Sequence, residues 1–293
     1  MLSRRTVIGG MAAGAAWPGL ALGQAMPLGA GATVAWASLD RGTGRRAGVN
    51  VDARMPICST FKWLLAAHVL WRVDRGQERL ERPIAFGRAD LLEYAPIVRG
   101  ALGRRERATL TVGALCEGTV TLSDNAAANL LLPSVGGPAG LTRWMRSLGD
   151  GVTRLDRTEP ALNRVPPGDP RDTTSAAAML GDLDRLLFGP VLRPASRRRL
   201  MEWLLGCKTG DTRLRAGLPA GWRIGHKTGT YTTDTPTRID RNAAGDVGVL
   251  LSPGRAPILI AAYTVGSVRP PAEVDRWFAD VARRVTRSVP RQN

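Results

Sequence analysis

The sequence predicts an α+β fold: an antiparallel sheet lobe flanked by helices and built from both termini, with an all-helical lobe inserted between them. Strand-like apolar runs occur near both ends of the chain, whereas the apolar spacing from residue 60 to about residue 204 is helical. We therefore expect a sheet lobe over 26–58 and 206–293 and a helical lobe over 59–205. Clefts between such lobes are favoured places for binding sites.

The sheet begins with a predicted hairpin. Thr33 to Leu39 and Ala47 to Val51 are rich in strand-forming residues and flank Asp40-Arg41-Gly42-Thr43-Gly44, which is typical of a turn. Strand character returns near the carboxyl terminus, where an amphipathic helix over 272–285 follows the last of three predicted strands, 222–230, 247–251 and 258–263.

Helical periodicity dominates the middle of the chain. The predicted helices begin after Ser59 with Phe61, Leu64, Leu65, His68 and Val69. Further helices are predicted over 110–120, 126–132, 141–145, 174–187 and 197–205.

Composition excludes several classes of protein. The chain has 293 residues, is 44% apolar and 23% charged, and contains no apolar run of 18 or more residues, which excludes peptides, disordered chains and membrane-spanning proteins. Its net charge of +16 comes from scattered arginines that are not interleaved with aromatic residues, so we expect no nucleic-acid partner. Only three lysines occur, Lys62, Lys208 and Lys227, which singles them out as candidates for function.

The first 25 residues are typical of an export signal. Arg4 and Arg5 precede a weakly apolar stretch, Val7 to Leu22, which ends in small residues and resembles a twin-arginine signal. The alternative, a buried first helix, is disfavoured by five glycines between residues 9 and 23. We expect a periplasmic or secreted protein with no membrane anchor in its mature form.

Cysteine and histidine counts argue against a metal or an extensive disulfide framework. Cys58, Cys116 and Cys207 are odd in number, so at least one thiol has no partner within the chain. With only His68 and His226 and no Cys-x-x-Cys, we expect no metal site and no cofactor. His68 is interpreted as a core residue and His226 as a strand residue that faces packing.

A serine and a lysine stand one helical turn apart at the predicted start of the first helix. Ser59 follows Pro56, and Lys62 lies on the same helix face, so the hydroxyl and the amine can touch. A desolvated lysine has a lowered pKa and can accept the serine proton. The alternative is a capping serine beside a solvated lysine.

Two further motifs follow in order. Ser123-Asp124-Asn125 precedes the helical run 126–132 and could be a plain helix cap. Lys-Thr-Gly occurs at 208–210, in a predicted loop after a helix, and at 227–229, on a predicted strand. We favour the second copy, because a strand edge presents a cation and backbone donors to a ligand.

Ser-x-x-Lys, Ser-Asp-Asn and a strand-borne Lys-Thr-Gly, in this order, resemble the penicillin-recognising serine enzymes. The segment Arg157-Thr158-Glu159-Pro160-Ala161-Leu162-Asn163, within 154–172, looks like the omega loop of the class A serine β-lactamases. The resemblance covers essentially the whole mature chain. It implies the three-layer β-lactamase/transpeptidase-like fold and hydrolysis of β-lactam antibiotics through a serine acyl-enzyme.

The resemblance also implies a role for each matching residue. Glu159 and Asn163 would hold the deacylating water, Arg157 would pair with Asp172, and the Glu159-Pro160 bond is a candidate for the cis form. Either Lys62 or Glu159 would be the base for acylation. The implied catalytic residues are Ser59, Lys62, Ser123 and Glu159, and the implied substrate-binding residues are Tyr94, Asn125, Asn163, Lys227, Thr228, Gly229 and Thr230.

Several positions depart from the family pattern. Cysteine pairings seen in relatives lack one member here, so we expect three free thiols. No arginine lies in Ala243-Ala244-Gly245-Asp246, where some relatives carry one beside the substrate carboxylate, which leaves Arg238 or Arg276 as candidates. The connection from Tyr231 to Asp246 is also longer than usual.

Two other functions remain open from the sequence. A cell-wall D,D-peptidase or another serine amidohydrolase would share the motifs, and a non-catalytic basic binding protein would share the charge. We expect a β-lactam as the small-molecule partner and a monomeric protein.

Overall fold

The structure, a computed structural model, describes residues 28–237 and 241–288. The predicted signal, 1–25, and Arg238 lie outside these residues. Among the described residues no helix is long and apolar enough to cross a membrane. The α-helices are α1 Phe61–Val73, α2 Pro96–Leu102, α3 Val112–Thr121, α4 Asn125–Leu131, α5 Gly137–Ser147, α6 Ala176–Leu187, α7 Pro194–Leu205 and α8 Pro271–Arg287.

Five antiparallel strands form the main sheet: β1 Thr33–Asp40, β2 Arg46–Val49, β7 Arg223–Tyr231, β8 Ala243–Leu251 and β9 Ile258–Val265. Their order across the sheet is β2-β1-β9-β8-β7. The termini meet where β1 pairs with β9, with Ala37 opposite Ala261. The predicted α+β fold, its opening hairpin and the closure of the sheet by both termini are confirmed.

The inserted segment differs from its prediction as all-helical. It contains an antiparallel hairpin of β4 Pro83–Gly87 and β5 Arg107–Thr111, and β6 Thr173–Thr174 pairs with β3 Met55–Pro56. Residues 107–111 alternate between exposed and half-buried positions, which is the two-residue repeat of a strand. The predicted helix from residue 110 therefore begins too early. Helix α3 begins at Val112, because the Thr111 hydroxyl accepts a hydrogen bond from the Ala114 amide (3.1 Å) and caps it. The lobe boundaries themselves stay a prediction.

Two apolar clusters cover the two faces of the sheet. The larger one surrounds α1, whose residues from Phe61 to Leu70 are all buried, and the smaller one lies between the sheet and α8 around Trp277 and Phe278. A helix buried on all sides is one that neighbouring elements hold in place. The amino end of α1 is therefore a fixed platform.

His68 lies in the core, as predicted. Its ring stacks on Trp144 with centroids 4.4 Å apart, and Nδ1 has no hydrogen-bond partner among the described residues. Burial, helped by the charge of Arg72, lowers the pKa of His68 to about 4. The three cysteines are buried free thiols.

We predict that acid destabilises the fold through His68. The unfolded chain takes up this proton near the ordinary histidine pKa of about 6.5, and the folded chain does so only near 4, so the unfolding free energy falls as pH falls. The His68 contribution lost between pH 7 and pH 5 is about 2 kcal/mol. Urea unfolding of His68→Phe, which keeps a stacking ring, should show a correspondingly smaller loss than the wild type. Equal losses in both proteins would contradict this assignment.

Candidate active site

The predicted site residues converge at the amino end of α1. Ser59 lies in a 3-10 turn, Cys58–Thr60, which α1 continues, and Cys58 has a left-handed φ of 41°. The turn is buried against β7. Ser123 comes from the loop between α3 and α4, and Glu159 comes from the predicted omega loop.

Ser59, Lys62 and Glu159 form one buried hydrogen-bonded group. Lys62 Nζ donates to Ser59 Oγ (2.8 Å) and lies 2.9 Å from Glu159 Oε1, and Ser59 Oγ is 3.3 Å from the same carboxylate oxygen. Burial lowers the pKa of Lys62, and the Glu159 carboxylate opposes this shift. Two groups that can take a proton thus lie within reach of the Ser59 hydroxyl.

Ser123 joins the two buried lysines. Its Oγ accepts from Lys227 Nζ at 2.9 Å, and its backbone carbonyl accepts from Lys62 Nζ at 2.8 Å. Burial lowers the pKa of Lys227 to about 7. The Ser123 hydroxyl thus lies within hydrogen-bond reach of a lysine amine that holds its proton less tightly than an exposed lysine does.

Glu159 is held by two asparagines. Asn163 Nδ2 donates to Glu159 Oε2 (2.6 Å). Asn129 on α4 makes two hydrogen bonds with the backbone of Glu159. Asn129 Nδ2 donates to the Glu159 carbonyl (2.9 Å), and Asn129 Oδ1 accepts from the Glu159 N–H (3.0 Å). The sequence analysis missed Asn129, although an asparagine one turn after Asn125 in an otherwise apolar run was a usable signal.

The loop that carries Glu159, the predicted omega loop, is closed at its base by Asp172. This fully buried carboxylate accepts from Arg157 Nε at 2.6 Å and from the Asp156 and Arg157 amides. The Glu159-Pro160 peptide bond is cis, as expected. The predicted Arg157–Asp172 pair is confirmed.

Strand β7 carries the second Lys-Thr-Gly copy, and Gly229 lets it approach Ser59 closely. A Cβ at Gly229 would lie 3.0 Å from both the Ser59 amide nitrogen and Cys58 Cβ, closer than side chains normally pack. The strand assignment of this copy is confirmed. In the first copy Lys208 is exposed, but Thr209 reaches the site, where its Oγ1 lies 2.6 Å from Thr228 Oγ1.

Asp124 positions the remaining part of the Ser-Asp-Asn motif. It is fully buried, caps α4 through the Ala127 amide (2.8 Å), and also accepts from the Ile97 and Val98 amides. The backbone N–H of Asn125 donates to the Tyr94 carbonyl (3.0 Å), which places the exposed Tyr94 ring at the rim. The motif is therefore more than a helix cap.

An open cavity of about 330 Å³ lies over these groups. Arg213 is the only arginine among the described residues that line it. The guanidinium donates to the Gly229 carbonyl (2.9 Å), to the Gly245 carbonyl (3.2 Å) and to Thr230 Oγ1 (2.8 Å). The lining residues are Ser59, Tyr94, Ser123, Asn125, Asn163, Thr209, Gly210, Thr212, Arg213, Thr228, Thr230 and Asp275.

The positive charge expected from Arg238 or Arg276 has a third candidate in Arg213, since Arg276 does not line the cavity and Arg238 lies outside the described residues. Arg213 Nε pairs with Asp275 at 2.8 Å, which fixes the guanidinium beside Thr230. The sequence held no signal for it, because 38 arginines are scattered along the chain.

His226 and Asp246 also differ from their predictions. His226 does face the interior, but its Nδ1 lies 2.8 Å from the buried Asp246 carboxylate, so it is more than a packing residue. Asp246 belongs to β8, opposite Thr228, because β8 begins at Ala243 and not at residue 247. The connection after β7 is correspondingly shorter than the Tyr231–Asp246 segment.

The arrangement suits covalent chemistry at a carbonyl carbon. A serine is flanked by proton acceptors on one side, and a lysine, hydroxyls and a guanidinium form a cationic end on the other. Among the described residues, no group of three or more histidine, cysteine, aspartate or glutamate side chains is placed to hold a metal ion.

Comparison with known proteins agrees with this geometry. A family model described as the β-lactamase enzyme family matches residues 24–289. The chain is 46% identical over 226 residues to β-lactamase L2 of Stenotrophomonas maltophilia, an alignment that covers 77% of this chain and 71% of that protein. It is 43% identical over 256 residues to the β-lactamase of Streptomyces albus G, with 86% and 79% covered.

Solved structures give the same result. The class A β-lactamase of the last common ancestor of Gram-negative bacteria superposes with a TM-score of 0.82 at 51% identity, covering 88% of this chain and 94% of that one. A β-lactamase from Xanthomonas campestris superposes with a TM-score of 0.80 at 44% identity, covering 87% and 91%. The chain therefore belongs to the β-lactamase enzyme family, as a class A serine β-lactamase.

Proposed function

We propose that this hydrolase opens β-lactams by forming an ester on Ser59, which a water molecule activated by Glu159 then cleaves. The observation that carries the proposal is the contact of one buried carboxylate, Glu159, with both Ser59 Oγ and Lys62 Nζ. The same group of residues can then serve acylation and deacylation.

Acylation begins with loss of the Ser59 proton to Lys62 or Glu159, both of which lie within hydrogen-bond reach. Ser59 Oγ attacks the lactam carbonyl carbon, and the amides of Ser59 and Thr230 stabilise the oxyanion. The carbon–nitrogen bond then breaks. Ser123 delivers a proton to the leaving nitrogen and regains one from a neighbouring lysine, which its contact with Lys227 supports.

Substrate binding uses the cationic end of the cavity. Lys227, Thr228 and Thr230 receive the substrate carboxylate, with Arg213 adding charge beside Thr230. Asn125 binds the side-chain amide of the substrate, and Tyr94 walls the entrance. Gly229 contributes no side chain, and its role is to let β7 lie against the Ser59 turn.

Deacylation uses Glu159 and Asn163. Oδ1 of Asn163 accepts no hydrogen bond from the described residues, so it is available to a water molecule held beside Glu159. Glu159 takes a proton from this water, whose oxygen attacks the ester carbon, and the Ser59–carbon bond breaks. Ser59 regains its proton, and the product leaves as the ring-opened acid.

Rapid deacylation separates a β-lactamase from a cell-wall D,D-peptidase, in which the acyl-enzyme would persist.

We further propose that the mature protein acts as a monomer outside the cytoplasm, after export through the twin-arginine-type segment at residues 1–25.

We predict that Glu159→Ala still acylates and then stalls. Intact-protein mass spectrometry should show a stable adduct of one opened β-lactam, and steady turnover should fall on the order of 10² to 10⁴-fold. The matched control is Glu202→Ala on the exposed face of α7, which should turn over like the wild type. Unchanged turnover in Glu159→Ala would refute the role of this carboxylate.

We also predict that Arg213→Gln weakens recognition of the substrate carboxylate. Loss of one charge-assisted interaction should lower kcat/KM about tenfold to a hundredfold. Arg276→Gln, on α8, should change it less than about twofold. A larger effect at Arg276 than at Arg213 would restore the original assignment of this charge.

A further inference from the structure

A buried cysteine, histidine and aspartate lie behind the carboxylate end of the cavity, and the proposed reaction does not use them. Cys207 follows α7 and is 1% exposed, and His226 and Asp246 are fully buried on β7 and β8. His226 Nδ1 lies 2.8 Å from Asp246 Oδ1, and the same imidazole is one of the groups that lower the pKa of Cys207.

Two hydroxyls connect Cys207 to the substrate pocket. Thr209 Oγ1 lies 3.3 Å from Cys207 Sγ and 2.6 Å from Thr228 Oγ1. Thr209 and Thr228 both line the cavity. A continuous path of hydrogen bonds therefore runs from the buried sulfur to a hydroxyl that is expected to meet the substrate carboxylate.

The protonation state of Cys207 determines the direction of donation along these hydrogen bonds. A thiolate can only accept hydrogen bonds, so the Thr209 hydroxyl donates to it. Thr228 must then donate its own hydrogen bond to Thr209 Oγ1. Thr228 is left with lone pairs toward the substrate. Beside a neutral thiol, the Thr209 hydroxyl can instead donate its hydrogen bond to Thr228 Oγ1. The Thr228 hydroxyl can then donate to a substrate carboxylate.

We propose that Cys207 is a positioning residue for the substrate carboxylate, acting through Thr209 to set the direction of the Thr228 hydroxyl. The inference rests on the proposed function, because it concerns the carboxylate of the same β-lactam substrate. It also gives the first Lys-Thr-Gly copy a role, through Thr209 and not through Lys208.

The charges around Cys207 make both states of the sulfur accessible. His226 and Lys227 face it from β7, Asp246 lies behind His226 on β8, and Arg215 donates to the Cys207 carbonyl (2.9 Å) while its Nη2 lies 3.1 Å from His226 Nε2. Burial raises the pKa of Cys207, but the hydrogen bond with His226 and the charge of Lys227 outweigh it and lower the pKa to about 6. Burial lowers the pKa of His226, but Asp246 raises it to about 9.

The test measures non-covalent binding, so that the chemical steps do not contribute. Ser59→Ala is titrated calorimetrically with benzylpenicillin between about pH 4.5 and 6.5, a range in which Lys227, with a pKa of about 7, stays mostly protonated. Loss of the Cys207 proton, with a pKa of about 6, should weaken binding about fourfold as the pH rises across this range. Adding Thr209→Val or Cys207→Ser should remove this dependence, since either change frees the Thr228 hydroxyl from the sulfur.

A matched control is Cys116→Ser in the Ser59→Ala background, because Cys116 is another buried free thiol and lies away from the cavity. It should keep the fourfold change. Persistence of the full pH dependence in the Thr209→Val protein would overturn the relay and show that the sulfur acts by charge alone. Flat binding in Ser59→Ala would overturn it as well, whereas no binding at any pH would sink the proposed function together with it.

Discussion

The site depends on the burial of two lysine side chains beside one carboxylate. Lys62 and Lys227 are both fully buried, and Glu159 is the carboxylate that contacts Lys62 directly. Burying an ammonium group is costly unless it is paired and hydrogen-bonded. Loss of the carboxylate would remove the anion that pairs with Lys62 and leave only its hydrogen bonds to neutral groups such as Ser59 and the Ser123 carbonyl, so Glu159 contributes to the stability of the cleft as well as to its chemistry.

Much of the surrounding structure serves to hold that carboxylate in place. Asn129 fixes the Glu159 backbone from α4, and Asp172 closes the base of the loop that carries it. The burial of α1 on all sides gives Ser59 and Lys62 an equally fixed support. A nucleophile and a base on separate elements need such support if their geometry is to be kept within a fraction of an ångström.

The predictable features were those carried by short-range pattern. Ser59 and Lys62 are one turn apart, and the apolar runs of β1 and β9 are unmistakable, so the motifs and the sheet could be assigned from the sequence. Arg213 could not, because its function depends on a long-range contact with Thr230 and Asp275 that no local spacing encodes. The β4–β5 hairpin was missed for a similar reason: its strands are separated by α2, and their pairing is not local.

Arg213 makes hydrogen bonds to two neighbouring strands, so its side chain bears on the sheet as well as on the cavity. The guanidinium joins the carbonyls of Gly229 and Gly245, which lie opposite each other on β7 and β8. One side chain thus joins the two strands at the floor of the cleft and also lines the cavity. A substitution of Arg213 would therefore disturb the sheet as well as the cavity, whereas the exposed rim around Tyr94 can change without that cost.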